Sequence, residues 1–136
     1  SSTSSPAVTR HQQEMQRSAL DQYKRKLMYE RQAQEASAAL AHIDDVLGDL
    51  EHDELDVELA GDVLTIAFES GGKFIVNAHS AARQVWLAAN TAAWHFDWAA
   101  DANDGAGAWV ASKTGDELMH TVARVVGERI GEAISL

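Results

Sequence analysis

The chain has 136 residues, of which 46% are hydrophobic, and this is enough material for one domain with a buried core. It carries 11 basic and 21 acidic residues, a net charge of −10, which argues against nucleic-acid and anionic-membrane binding because both need a basic surface. The absence of cysteine excludes disulfides, thiolate metal sites and cysteine nucleophiles. No apolar run approaches the length that spans a bilayer.

The N-terminal segment differs in charge from the rest of the chain. Residues 1–31 carry six bases and three acids, a balance of +3, whereas residues 32–136 carry five bases and 18 acids, a balance of −13. The Ser/Thr-rich residues 1–10 are expected to be a disordered tail, and residues 11–28 a basic helical extension. We therefore predict a tail and extension over residues 1–28 and a domain over residues 29–136.

The segment from His11 to Leu50 has a helical composition, with no proline and no glycine until Gly48. Apolar residues recur along it at alternating spacings of four and three, so they form one stripe that must pack on another element. The stripe consists of Tyr29, Ala33, Ala36, Leu40, Ile43, Leu47 and Leu50.

Beyond Glu51 the apolar period changes from about 3.6 to about 2, which predicts β-strands. Short turns make neighbouring strands antiparallel, and Thr114 with Glu117 forms a capping box that is expected to start a second helix. The order predicts an α+β fold, a two-layer sandwich with both helices on one face of a five- to six-stranded antiparallel sheet. The strands are expected at 55–59, 63–69, 73–77, 83–89, 94–98 and 108–112, with a loop at 78–82.

Trp86 lies on the polar side of the fourth predicted strand. Period two turns Val85 and Leu87 toward the core, so Gln84 and Trp86 point the other way. Either Trp86 contacts a partner, as large exposed aromatics often do, or another element covers it. The one-sided sandwich favours the exposed interpretation, with His95 and Asp97 displayed on the same wet face.

A run of acidic residues covers the end of the first helix and the first strand. Carboxylates so closely spaced repel each other, and a bound hard or borderline cation would explain them, with His42 or His52 as a nitrogen ligand. A basic partner surface or a merely solvated face are the other interpretations, and all three remain open. The run comprises Asp44, Asp45, Asp49, Glu51, Asp53, Glu54, Asp56, Glu58 and Asp62.

His95 and Asp97 are predicted on one face of the fifth strand, where the acid could orient the imidazole for acid–base work or metal binding. No serine or cysteine nucleophile in a recognisable motif accompanies the pair. We expect a surface histidine beside an acid, and we assign no catalytic residue.

Several motifs between about Tyr29 and Ile134 resemble the frataxins. Asn77-x-His79 followed by the segment Arg83-Gln84-Val85-Trp86-Leu87-Ala88 is similar to the family's Asn-Lys-Gln and Gln-Ile-Trp-Leu-Ser-Ser signature. The segment His95-Phe96-Asp97-Trp98 resembles the family's Arg-Tyr-Asp-Trp. His79 replaces the usual glutamine, and His95 replaces an arginine that is common in eukaryotic members.

The resemblance implies a sandwich fold and an acidic ridge that binds Fe²⁺, or Fe³⁺, weakly and exchangeably. By position, Asn77, Gln84 and Trp86 would face a cysteine desulfurase or an iron–sulfur scaffold protein. His79 and His95 join this expected partner-binding set, and His79 could also approach the metal. The expected metal-binding residues are Asp44, Asp45, Asp49, Asp53, Asp56 and Glu58 from the resemblance, together with Glu51 from the acidic run.

The predicted function is that of an iron-binding accessory protein which regulates cluster assembly on a desulfurase–scaffold complex and could donate iron. Activation and restraint of assembly both remain open. The alternatives are ferroxidase or iron storage on the ridge, and a metal-independent acidic binding module. We expect a monomer or a metal-dependent oligomer, without nucleic-acid or membrane partners. The N-terminal composition favours the mitochondrial matrix over a bacterial cytoplasm.

Overall fold

The computed structural model describes residues 6–136, and the chain divides into two compact units, Ser1–Gln32 and Ala33–Leu136. In the first unit the described residues belong to the helix α1 (Pro6–Asp49), which confirms the helix predicted over 11–28. The tail prediction is wrong for residues 6–10, which are helical, and residues 1–5 lie outside the described part. Proline suits the first helical position because its missing N–H would have no partner there.

The second unit contains the end of α1, six strands and a second helix. The strands form one antiparallel sheet in the order β1-β2-β3-β4-β5-β6, so each strand pairs with its neighbour in the chain. The elements are β1 (Leu55–Ala60), β2 (Val63–Phe68), β3 (Lys73–His79), β4 (Gln84–Ala89), β5 (Ala92–Ala99), β6 (Ala108–Val110) and α2 (Leu118–Ile130).

A single core lies between the helices and one face of the sheet, which confirms the predicted two-layer sandwich. Leu40, Ile43 and Leu47 of α1 are buried, as the stripe predicted, whereas Ala33 near its start and Leu50 at its end are exposed. In the described part of the chain, neither α1 nor α2 is long and apolar enough to cross a bilayer. The other large buried side chains include Leu64, Ile66, Phe74, Val76, Val85, Leu87, Phe96, Leu118 and Val122.

The third strand is longer than predicted. Ala78 continues the inward-facing set and is buried, and His79 pairs across the sheet with Gln84. These two residues therefore belong to β3 and not to the predicted loop. The connection to β4 is correspondingly tight, and Arg83 occupies a left-handed conformation with φ 54°.

The start of α2 also differs from the prediction. Glu117 is the N-cap, and its carboxylate accepts hydrogen bonds from the backbone N–H groups of Met119 and His120. Thr114 instead donates its hydroxyl to Asp116 at 2.8 Å. The predicted capping box is therefore wrong, because Glu117 is still extended (φ −101°, ψ 144°) and bridges Val110 of β6 before the helix begins.

Candidate functional site

The open face of the sheet is organised around Trp86. In the sheet register Trp86 lies directly opposite Asn77 on β3 and His95 on β5. Gln84 points to the same side two residues earlier, and it lies opposite His79. The structure thus brings together the residues that the sequence proposed for partner binding: Asn77, His79, Gln84, Trp86 and His95.

Trp86 is held between two imidazoles. Its ring centroid is 4.1 Å from that of His79, with the planes inclined by 18°. His95 stacks on the indole with a centroid distance of 4.4 Å and an angle of 15°. Since near-parallel rings at such distances are in van der Waals contact, one imidazole packs against the indole from each neighbouring strand.

A chain of hydrogen bonds continues from the indole into the next pair of residues. The Nε1–H of Trp86 donates to Oε1 of Gln84 at 2.8 Å. The Nε2–H of Gln84 donates in turn to Oδ1 of Asp97 at 2.9 Å. Asp97 therefore orients Gln84, whereas His95 stacks on Trp86. His95 and Asp97 are both exposed on this face, as expected for a surface histidine beside an acid, and their contacts are with different neighbours on β4.

His79 has one ring nitrogen engaged by the chain itself. The backbone N–H of Ala82 donates to Nδ1 of His79 at 3.1 Å. In a neutral imidazole with Nδ1 as the acceptor, the proton is carried by Nε2. A metal ion needs an unprotonated nitrogen, and the one that His79 has is already used. The geometry therefore favours His79 as a hydrogen-bond donor over His79 as a metal ligand.

The predicted metal-binding residues are distributed over the end of α1, the connection that follows it and β1. Asp44, Asp45 and Asp49 are on the last turns of α1, and Asp56 and Glu58 point outward from the edge strand β1. Among the side chains described over residues 9–136, no three histidine or acidic groups converge on one point. The acidic ridge, which we define as Asp44, Asp45, Asp49, Glu51, Asp53, Asp56 and Glu58, therefore presents separate carboxylates and not a closed cage.

Glu54 belongs to the acidic run but not to the expected metal-binding set, and its carboxylate has hydrogen-bond partners within the chain. Its carboxylate accepts hydrogen bonds from the backbone N–H of Ser70, at 2.9 Å, and from the Ser70 hydroxyl. These bonds, helped by the positive charge of Arg129, hold the pKa of Glu54 below its ordinary value. Arg129 also donates to the Ser70 hydroxyl at 3.0 Å and lies 4.4 Å from the centre of the Phe68 ring.

The two histidines that were proposed as nitrogen ligands for the ridge have other contacts. Nδ1 of His52 accepts the backbone N–H of Glu54 at 3.1 Å, and its Nε2 lies 3.4 Å from the carboxylate of Glu132. Nε2 of His42 is 2.8 Å from the carbonyl oxygen of Leu136. Both rings thus tie distant parts of the chain together. Sequence spacing gave no signal for the contacts with Glu132 and Leu136, since these two partners are remote in the chain.

The chain is similar to proteins of one family. Residues 23–132 match the model of the frataxin-like domain. An iron–sulfur cluster assembly protein CyaY from Dechloromonas aromatica is 42% identical over 102 residues, which cover 74% of this chain and 90% of that protein.

Two solved structures share the fold. The frataxin from Psychromonas ingrahamii covers 79% of this chain and 95% of its own, with a TM-score of 0.67 and 24% identity. The trimeric frataxin from Saccharomyces cerevisiae complexed with ferrous iron covers 72% of this chain and 87% of its own, with a TM-score of 0.60 and 28% identity. With its sequence match, its fold and the open sheet face around Trp86 all in agreement, this chain belongs to the frataxin family.

Proposed function

We propose that the protein is an accessory protein of iron–sulfur cluster assembly that docks on a cysteine desulfurase–scaffold complex through the face around Trp86. One observation carries the proposal. The residues of the family signature, Asn77, Gln84 and Trp86, lie side by side on a sheet face that no helix of the second unit covers. The name of the relative from Dechloromonas aromatica supports the same pathway.

This face has the properties of an interaction surface. Tryptophan is enriched at the energetic centre of interfaces, since it offers a large area at a small cost in conformational entropy. The indole N–H of Trp86 is already satisfied by Gln84, so docking leaves no polar group of this ring unpaired. The exposed Asp97 and the half-buried Asn77 lie beside the ring and supply polar atoms for a rim.

Iron is best described as an ion that the acidic ridge binds temporarily and then releases. Carboxylate oxygens suit hard cations such as Fe²⁺, but separate and exposed carboxylates bind a cation weakly and release it readily. The ferrous complex of the yeast protein supports an association with iron in this fold. A ridge of this kind suits iron that is handed on and does not suit iron that is stored.

The place of action is inferred from the relatives. The cluster assembly proteins to which this chain is similar come from bacteria such as Azotobacter vinelandii and Dechloromonas aromatica. They favour a bacterial cytoplasm, which was the second of the two compartments expected from the sequence. These bacterial relatives do not support the mitochondrial matrix that the N-terminal composition suggested.

The decisive experiment adds the protein to a purified desulfurase–scaffold mixture and follows the rates of sulfide release and cluster formation. We expect a change in rate, and its direction decides between activation and restraint. Trp86→Ala should remove the effect while the thermal unfolding temperature changes little. Thr65→Ala is the control, because Thr65 points to the same sheet face from β2 and is separated from Trp86 by β3. Unchanged rates with the wild-type protein would refute the proposal.

A further inference from the structure

The stacked rings point to a role for the two histidines that the docking proposal does not contain. We propose that His79 and His95 are positioning residues, which clamp the indole of Trp86 so that its edge is fixed for the partner before binding. The inference rests on the proposed docking through Trp86. It concerns two of the positions at which this chain departs from the family pattern.

The geometry of the sheet produces the clamp. His95 is directly opposite Trp86 in the β4–β5 register, whereas His79 lies on the diagonal, two residues along β3 from Asn77. Directly opposite and diagonal neighbours on one face are both within reach of aromatic side chains. One imidazole therefore reaches each face of the indole, with planes inclined by only 18° and 15°.

Two components of the clamp, His79 and the indole, are themselves held in place by hydrogen bonds. The Nδ1 atom of His79 accepts the N–H of Ala82, which fixes the ring to the turn between β3 and β4. The indole is fixed at its own N–H by Gln84, and Gln84 is fixed by Asp97. Rotation of Trp86 about its side-chain torsions would break a hydrogen bond and two ring stacks together. The indole is consequently restricted to one orientation in the free protein.

Preorganisation of this kind increases affinity without a new contact. A side chain that must be immobilised on binding loses conformational entropy, and a side chain that is already immobile does not. The two stacks also fix the indole in an orientation that presents its edge, and not a ring face, to the partner. A narrow apolar cleft on the partner would accept such an edge, whereas a flat aromatic or guanidinium surface would need a free ring face.

The test uses paired variants of each histidine. His79→Ala and His95→Ala remove a stacking ring, whereas His79→Phe and His95→Phe keep a planar ring and remove the imidazole nitrogens. From the usual strength of aromatic pairs, each alanine variant should weaken binding to the desulfurase–scaffold complex about two- to tenfold. The phenylalanine variants should restore most of this loss. In the Trp86→Ala background the histidine variants should have no further effect.

A second measurement is made on the free protein, without the desulfurase–scaffold complex. ¹⁵N relaxation reports the picosecond–nanosecond order of the Trp86 indole N–H bond in the free protein. This order should fall in the alanine variants and remain high in the phenylalanine variants. Thermal unfolding of each variant separates a local effect from a loss of fold.

The outcomes separate the two proposals. If Trp86→Ala leaves binding unchanged, docking through this face is wrong, and the clamp has no role in it. If Trp86→Ala weakens binding but the alanine variants change neither affinity nor indole order, docking stands and the clamp is overturned. If affinity falls equally in the alanine and phenylalanine variants, the imidazoles contact the partner directly, and the positioning role is also overturned.

Discussion

The indole N–H of Trp86 donates to the side-chain oxygen of Gln84 at 2.8 Å. Because Gln84 also donates to Asp97, the amide can only have its oxygen toward Trp86 and its nitrogen toward the carboxylate. The relationship explains why glutamine is required here, since an isosteric glutamate could satisfy Trp86 but would repel Asp97. A first prediction follows from this pair.

Gln84→Glu should destabilise the fold by about 1 kcal/mol, since like charges directly opposite across a sheet repel. It should weaken binding to the desulfurase–scaffold complex by roughly tenfold, because the new carboxylate is repelled by Asp97 and no longer holds the Trp86 indole in a fixed position. Chemical denaturation and a binding titration measure the two effects. Adding Asp97→Asn should restore both, as an asparagine can donate to the new carboxylate. Failure of this second change to restore either quantity would contradict the hydrogen-bond chain.

The protonation site of His79 is a second prediction. We expect the neutral imidazole to carry its proton on Nε2, because Nδ1 accepts the N–H of Ala82 at 3.1 Å. Long-range ¹H–¹⁵N correlation spectra distinguish the two tautomers by their cross-peak patterns. Addition of Fe²⁺ should leave the ring signals of His79 sharp while signals of the acidic ridge broaden. A proton on Nδ1, or loss of the His79 signals at low iron, would reinstate this residue as a metal ligand.

The acidic ridge carries a third prediction. Anaerobic titration with Fe²⁺ should broaden amide signals mainly between residues 44 and 58. Neutralising a single residue, as in Asp56→Asn, should weaken binding by no more than about fivefold, because exposed carboxylates contribute individually little. Asp101→Asn removes an exposed charge far from the ridge in sequence and is the control.

The same titration separates the alternatives for the ridge. Oxygen consumption above the buffer rate on addition of Fe²⁺ would favour a ferroxidase. Binding of a basic partner without any response to Fe²⁺ would favour a metal-independent module. Broadening at the ridge without oxygen consumption is the result expected for weakly held, exchangeable iron.

A fourth prediction concerns Glu54 and acid stability. Hydrogen bonds from Ser70 lower the pKa of Glu54 in the folded protein, so folding favours the ionised carboxylate. Its contribution to stability is present above the ordinary pKa of 4.5 and is lost as the pH falls through the lowered folded value. Glu54→Gln should therefore lower the unfolding temperature at pH 7 and have a smaller effect near pH 3. An effect of equal size at both values would contradict the linkage.

The fifth prediction concerns a helical glycine. A Cβ on Gly127 would lie 2.7 Å from the carbonyl oxygen of Glu132, because the chain folds back over α2 after its C-cap. Alanine usually stabilises a helix relative to glycine, but Gly127→Ala should here destabilise the fold by about 1–2 kcal/mol. Gly48→Ala in α1 is the control, since no atom lies within 4 Å of its Cβ, and it should stabilise. Equal effects of the two substitutions would contradict the close contact.

The sheet was predictable from the sequence because its period is a local property. Alternation along Val85, Trp86 and Leu87 decides which side chains enter the core, and short turns decide that neighbouring strands pair. The prediction failed where a longer-range contact competes with local preference. Ala78 and His79 extend β3 because they pair with β4, and Glu117 replaces Thr114 as the cap because it bridges β6.

The sequence by itself determined the fold class, the acidic run between Asp44 and Asp62 and the outward direction of Trp86. Each of these depends on residue type and on periods of a few residues. The tertiary structure alone decided what surrounds those residues. Three contacts between different parts of the chain show this. They are the stacking of two imidazoles on the indole, the hydrogen bonds from Ser70 to Glu54 and the close approach of Glu132 to Gly127. Such contacts depend on strand register and chain reversal, which no local pattern encodes.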